Sequence, residues 1–423
     1  MVHYYSRYSP HLFSASSVSA ATTISTDIVT GGTISSGNIN STGTIAASST
    51  INTSGTTGGY KIDGNLILQA SSSRATLGTG YQTLLSNISG AYSNAYGLQA
   101  LQSNTTGSYN NAFGYQALNA NTTGSFNTAF GDRALSLGTT GSRNTAVGYL
   151  SLINNTASYN TSVGWQSLRA NTSGSSNAAF GLSAMDDNTT GSYNTAVGAQ
   201  AMQHSTTASY NTAVGTNVML NNTSGDSNTA IGHQALLANT TGYGNNAMGV
   251  GAMEYNTTGS YNNVIGLLSM YQNTTGSYNT VLGYQAGYMV TTGSNNLILS
   301  SATSSLSNAN LTTGNQNIII GNNISFPSAT ANGQLNIGNI IYGTSITGTG
   351  SNLSNGNIGI GTTTPATKLH VSSGASATTT VSVGELGLTS SKACVNMNRA
   401  DGGAGSFYIN ASGALVSEAN YCR

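Results

Sequence analysis

One 17-residue phrase recurs from residue 76 to residue 299, in its plainest form N-T-A-V-G-x-Q-A-L-x-x-N-T-T-G-S-Y. Its first glycine falls at Gly80, Gly97, Gly114, Gly131, Gly148, Gly164, Gly181, Gly198, Gly215, Gly232, Gly249, Gly266 and Gly283, evenly spaced except that Gly164 comes one position early. A fixed period of this length means one small unit stacked on copies of itself, so the chain folds as a solenoid. The expected fold is all-β: an elongated parallel β-solenoid, or β-roll, of about thirteen 17-residue coils.

Comparing the repeat with itself shows what each slot requires. The residue before the marking glycine is large and apolar, as in Phe113, Phe130, Val147, Val163, Ile231, Met248 and Leu282. Four positions after the glycine comes Leu or Met, from Leu84, Leu101 and Leu118 to Met253 and Met270. Both are preceded by small residues, mostly Ala. Neighbours on a strand point to opposite faces, so the large member of each pair is expected inside and the small one outside, where it lets a neighbour approach. The marking glycine never varies, which implies positive φ or a position beneath another backbone. A second glycine (Gly107, Gly124, Gly141) gives way to Ala157 and Ala208, so it needs no positive φ. The short step to Gly164 loses its residue between Leu152 and Asn160, in the polar half, where a surface turn tolerates a length change.

One slot holds asparagine in eleven successive coils: Asn110, Asn127, Asn144, Asn160, Asn177, Asn194, Asn211, Asn228, Asn245, Asn262 and Asn279. At the ~4.8 Å strand spacing these form a structural amide ladder, each side chain bonding the next.

Composition narrows the function classes. The 423 residues include only 10 basic and 10 acidic ones, about 5% charged, with zero formal net charge. Nucleic acid and anionic membranes both require clustered Lys and Arg, so neither is an expected partner. With 54 Gly and so few charges, helices are poorly supported. No apolar run is long enough to cross a membrane. The N-terminal stretch lacks the apolar core of a secretory signal, which points to a processed chain or to an export route needing none.

Five segments follow from these shifts in composition. Residues 1–20 are aromatic and weakly basic, suited to docking or capping. Residues 21–75 are rich in Ser, Thr and Gly, with an isoleucine beat at Ile34, Ile39, Ile45 and Ile51 that suits short strands around a shared axis. One chain cannot enclose such an axis, so association is implied. The repeat occupies 76–299, a looser β stalk 300–371, and a terminal module of mixed composition 372–423. Cys394 and Cys422 are the only cysteines. They are either two free thiols or, as we expect, a disulfide closing the terminal module in an oxidising exterior. That module is expected to cap the fibre or attach it to a partner.

The phrase N-T-A-V-G-Y-Q-A-L, in variant form at 194–202 and 279–286, resembles arrays in bacteriophage tail fibres. It also resembles the head repeats of trimeric autotransporter adhesins, which form parallel β-rolls in trimers. Gly359-Ile360-Gly361-Thr362-Thr363-Thr364-Pro365, with Lys368-Leu369-His370-Val371, is similar to the stretch preceding the self-cleaving chaperone of tail fibres. Residues 372–423 are not expected to form the chaperone or a membrane barrel. The resemblance implies a homotrimeric fibre, with end-to-end joining into filaments left open. It would be extracellular, on a cell-surface appendage or a virion tail, and would present a surface to a glycan or protein receptor.

No catalytic, cofactor or metal constellation stands out. His3, His11, His204, His233 and His370 are scattered, with His204 and His233 in different repeat slots and read as solvent-facing turn residues. Asp186, Asp187, Asp226 and Glu254 read as isolated. The chain is therefore expected to be neither an enzyme nor a cofactor carrier. Two surface features repeat. Five positions before the glycine stand Tyr92, Tyr109, Phe126, Tyr159, Tyr193, Tyr210, Tyr261 and Tyr278, replaced elsewhere by Arg143, Ser176, Ser227 and Gly244. A slot accepting Arg and Gly is partly exposed, so these rings form an interrupted outer stripe, serving either stacking or glycan contact. The second feature is N-x-[S/T] at Asn104, Asn121, Asn171, Asn188, Asn222, Asn239, Asn256 and Asn273, which suits Asn/Thr turns as well as glycosylation. The alternative function is a ligand-binding solenoid, with a glycan-binding face or an ice-binding one built on Thr105, Thr106 and their counterparts.

Overall fold

In the computed structural model, residues 74–301, 311–324, 326–346 and 355–372 are described in full. So is the backbone of the strands Gly59–Ile62, Asn65–Ser71, Cys394–Asn398, Ala404–Ile409 and Leu415–Glu418. Everything expected of residues 1–20 and of the isoleucine beat lies outside the described residues.

The described residues contain strands and turns but no helix. From Thr76–Thr79 to Leu335–Ile337, sixteen short strands pair in parallel, each with the next, giving about fifteen coils. Two coils beyond the expected thirteen come from the degenerate region after residue 300. There Leu297–Leu299 still pairs in parallel with Ile318–Ile320, across a step longer than the period. The short step is absorbed as well, since Thr145–Val147 pairs in register with Thr161–Val163.

The strands of the repeat are so short, as in Thr195–Val197, that most coil-to-coil bonding lies in the turns. Gly114 and Gln116 donate their N–H groups to carbonyls of the preceding coil, at 2.8 and 2.9 Å. Leu118 and Ala120 donate to the following coil, at 3.0 and 2.9 Å. Each coil is thus tied to both neighbours around its perimeter, and the turns carry the ladder that strands alone would be too short to supply.

This wrapping needs unusual backbone. In a typical coil Tyr109, Gln116 and Leu118 adopt left-handed φ of 59°, 54° and 52°. Each costs a non-glycine residue about 1–2 kcal/mol. The marking glycine goes further, with φ between 126° and 144° along the repeat. A Cβ on Gly80 would lie 2.7 Å from the carbonyl oxygen of Gly97 in the next coil. Both reasons for an invariant glycine therefore apply together. The second glycine slot has no left-handed φ.

The core differs from the expected arrangement at the first small-large pair. Ala196 is fully buried while Val197 beside it is 38% exposed, and the same inversion places Ala129 inside and Phe130 outside. A coil of this length is narrow. Leu or Met, four positions after the glycine, fills most of it, and opposite stands a small residue, mostly Ala, with Val264 and Val281 among the larger exceptions. The second pair departs from alternation too, since Ala201 and Met202 are both buried. Alternation holds for extended residues only, and the left-handed φ of 53° at Met202 turns its side chain back inside.

Antiparallel strands close both ends of the parallel stack. Thr76–Thr79 pairs antiparallel with Asn65–Ser71, which pairs antiparallel with Gly59–Ile62. At the far end Leu335–Ile337 pairs antiparallel with Ile341–Thr344, and that strand antiparallel with Asn357–Ile360. Reversing strand direction blocks addition of another in-register coil. At this end the reversal of strand direction is made by residues before 372. Within 372–423, Cys394–Asn398, Ala404–Ile409 and Leu415–Glu418 form their own three-stranded antiparallel sheet. The Cys394 side chain and Cys422 lie outside the described residues, and with them the expected disulfide.

Two substitutions separate the glycine slots. Gly198→Ala meets both left-handed φ and the Gly215 backbone, and should lower unfolding free energy by more than about 2 kcal/mol, the order expected for such strain. Gly191→Ala also presses on the next coil's backbone but meets no left-handed φ, and should cost less, because Ala157 and Ala208 already occupy that slot. Denaturant melts of the two variants provide the comparison.

Candidate functional surfaces

Inside the coil, the asparagines from Asn110 to Asn279 are all buried. Their bonding is richer than a simple amide ladder. Asn127 accepts the backbone N–H of Asn144 on its Oδ1 at 2.9 Å and donates its Nδ2 to the Gly141 carbonyl at 2.8 Å. Direct amide-to-amide bonds occur at some steps, including Asn144 to Asn127 at 3.2 Å and Asn279 to Asn262 at 3.0 Å. The row begins with Ser93, whose Oγ accepts from Asn110 N–H, and continues past Asn279 through Asn296 and Asn317 to Gln334.

A second interior ladder is formed by the N-x-[S/T] asparagines, from Asn104 to Asn273, every one of them buried. Asn188 Nδ2 donates to Asn171 Oδ1 at 2.7 Å, and Asn256 bonds Asn239 in the same way. Most of these amides also donate to a glycine carbonyl three positions on, as Asn104 does to Gly107. Sequestered nitrogens of this kind do not serve as glycan acceptors in the folded chain. Where the row is broken, partners are missing. Ser205 follows Asn188 in the slot and Val290 follows Asn273, and Asn188 Oδ1, Ser205 Oγ and Asn273 Oδ1 have no hydrogen-bond partner.

The aromatic row lies outside. Tyr92, Tyr109, Phe126, Tyr159, Tyr193, Tyr210, Tyr261 and Tyr278 are all exposed. Their rings stack at the coil spacing, with centroids 4.8 Å apart for Tyr92–Tyr109 and Tyr109–Phe126, 5.1 Å for Tyr193–Tyr210 and 5.0 Å for Tyr261–Tyr278. Arg143 fills its gap as a flat cation, 5.6 Å from the Phe126 ring and 5.3 Å from that of Tyr159, and donates to the Tyr159 hydroxyl at 2.8 Å. Left-handed φ across this slot explains why Gly244 is accepted there.

Two further outer rows flank the marking glycine. One holds the large residues expected inside, among them Phe130, Val214, Ile231, Met248 and Leu282. The other, just after the glycine, includes Tyr115, Tyr149, Trp165, Leu182, Val250 and Leu267. Charge is sparse along them, Asp132 and His233 being interruptions of the second row.

The carboxylates read as isolated are partly paired, because stacking brings residues one period apart together. Arg169 Nε lies 2.6 Å from Asp186 Oδ1, and His204 Nδ1 lies 2.8 Å from Asp187 Oδ2. His204 is exposed, yet it has this partner. Burial pushes the Asp186 carboxyl up from its ordinary value despite the Arg169 hydrogen bond and charge that oppose it. The hydrogen bond and charge of Asp186 raise Arg169. The two directions agree once the desolvation of the carboxylate is seen to outweigh the pairing. Burial also raises Glu254, against a 3.5 Å hydrogen bond from the Tyr271 hydroxyl. Among the described residues, no three His, Cys, Asp or Glu side chains gather as metal ligands.

No protein-family model matches the chain, and no curated protein or solved structure matches it. No helix among the described residues is long and apolar enough to cross a membrane.

Ser205→Asn should restore two bonds of the second ladder, to Asn188 and from Asn222, and raise stability by about 1 kcal/mol in denaturant melts. Arg169→Ala should lower stability most at neutral pH. A carboxyl whose folded pKa is raised favours folding in its protonated form, so stability falls as pH rises through that pKa. The variant's deficit should therefore shrink at about pH 3, below the ordinary aspartate range. Urea melts at the two pH values measure it.

Proposed function

We propose that this chain is a non-enzymatic structural subunit of an extracellular fibre, which self-associates along the solenoid and spaces a receptor-binding or assembly surface. The observation that supports this reading is the pair of apolar rows beside the marking glycine. Large aromatic side chains carry about 150–250 Å² each. Roughly half exposed, the side chains of the two rows offer on the order of 1,500 Å², where a stable complex needs about 800 Å² per partner. A typical monomer's largest apolar patch is only about 300–600 Å². Near-absence of charge along the rows removes the penalty for desolvating them. A homotrimer, open to end-to-end continuation, is the assembly we propose, on a cell-surface appendage or virion tail and facing a glycan or protein receptor.

The ligand-binding alternative has less support. Thr105, Thr122 and Thr189 donate their hydroxyls to threonine carbonyls of the next coil, at 3.0, 3.0 and 2.9 Å, so those donors are used within the fold. Thermal hysteresis in purified protein would favour the ice-binding face over the fibre.

Light scattering should give a mass three times the 42.8 kDa of one chain at micromolar concentration. Val214→Lys combined with Ile231→Lys should yield a monomer of unchanged β-sheet circular dichroism, because both side chains point outward. A monomeric parent protein would overturn the assembly, and loss of fold in the variant would overturn the placement of these rows.

A further inference from the structure

The tyrosine stacks support a chemistry that the fibre reading does not require. Tyr92–Tyr109, Tyr193–Tyr210 and Tyr261–Tyr278 are in successive coils, with ring planes 14°, 3° and 22° apart. The rings of each pair are thus close to parallel and in face-to-face reach, with centroids 4.8, 5.1 and 5.0 Å apart. All six rings are exposed, within reach of an oxidant. The backbone pairing beneath them keeps each pair in register.

We infer that these stacked pairs are sites of oxidative dityrosine cross-linking between successive coils. Removing one electron and one proton from each of two phenols gives two phenoxyl radicals. Their ortho carbons join in one new C–C bond, and loss of the two ortho protons to water restores aromaticity as the phenoxyl oxygens are reprotonated. The two tyrosines together lose two electrons and two protons. Hydrogen peroxide, acting through a haem peroxidase as one-electron oxidant, takes up both and becomes two waters. The bond ties residues one period apart, closing one coil covalently upon the next.

The row supplies its own controls. Phe126, stacked on Tyr109 at 3°, has no phenol and cannot form the radical. Tyr159 has Arg143 on one side and Ser176 in the next slot on the other, so it has no tyrosine partner in its row. Phe126 also shows that the slot accepts Phe without disturbing the stack, so Tyr210→Phe removes the chemistry and keeps the packing.

Full-length protein, mixed from equal parts of isotopically heavy and light chains, is treated with peroxidase and peroxide, digested and mapped by mass spectrometry. Expected are Tyr92–Tyr109, Tyr193–Tyr210 and Tyr261–Tyr278 links, each two hydrogens lighter than the separate peptides and carrying a single isotope label. Tyr210→Phe should lose the Tyr193 link alone, with unchanged circular dichroism. Ser176→Tyr should add links to Tyr159 or Tyr193, and linked protein should melt at a higher temperature than untreated protein. Absence of the three links, mixed-label links only, or Tyr159 linked as readily as Tyr193 in the parent chain would overturn the inference. These readouts do not depend on trimer formation, so they are distinguishable from failure of the fibre reading.

Discussion

Coil-to-coil backbone hydrogen bonding is the constraint from which the rest of the structure follows. It stacks each coil on the next at the strand spacing, so each residue sits on the residue one period away. A side chain must therefore tolerate its own kind above and below. Amides, flat rings and small apolar groups satisfy that condition, whereas like charges do not. The scarcity of charge is a consequence of this geometry, and the ion pairs that exist place opposite charges one period apart, as in Arg169 and Asp186.

Hydrogen bonding also accounts for the backbone strain. Three left-handed residues in each coil, and a glycine with φ such as the 136° of Gly198, would be costly in a chain of independent turns. Here each N–H that they re-aim meets a carbonyl in a neighbouring coil, and an unmade buried bond would cost about as much as the strain. The marking glycine is invariant because both its φ and the overlying backbone exclude a Cβ. The second glycine slot varies because its φ is not left-handed, although the backbone of the next coil lies as close to it.

The fold was legible because the period is fixed and long. Which residues face inward was legible only in part. Leu118 and Met253 are buried as the pattern implied, but Val197 and Phe130 are outside because the strand turns their neighbours Ala196 and Ala129 inward. Alternation could not show this, since left-handed residues such as Met202 reset the facing of the chain. The N-x-[S/T] pattern of the Asn104 row suits a surface turn and a glycan acceptor equally. Its signal was the nature of the exceptions, Gly138, Ser205 and Val290, none of which is charged or bulky and polar. The Arg169–Asp186 and Asp187–His204 pairs were visible in the sequence as residues one period apart. The outer apolar rows follow directly from the corrected facing, and they support the proposed role in self-association.

If every period adds one coil of constant rise, distances along the stack must grow in proportion to the number of coils. Spin labels on exposed threonines test this most directly, in a chain with Cys394 and Cys422 replaced by Ser. Thr106 and Thr190 are five coils apart, and Thr106 and Thr275 ten. Pulsed dipolar spectroscopy should give about 24 Å for the first pair and about 48 Å for the second, at ~4.8 Å per coil. Distances that fail to double between the two pairs would contradict the stacked solenoid.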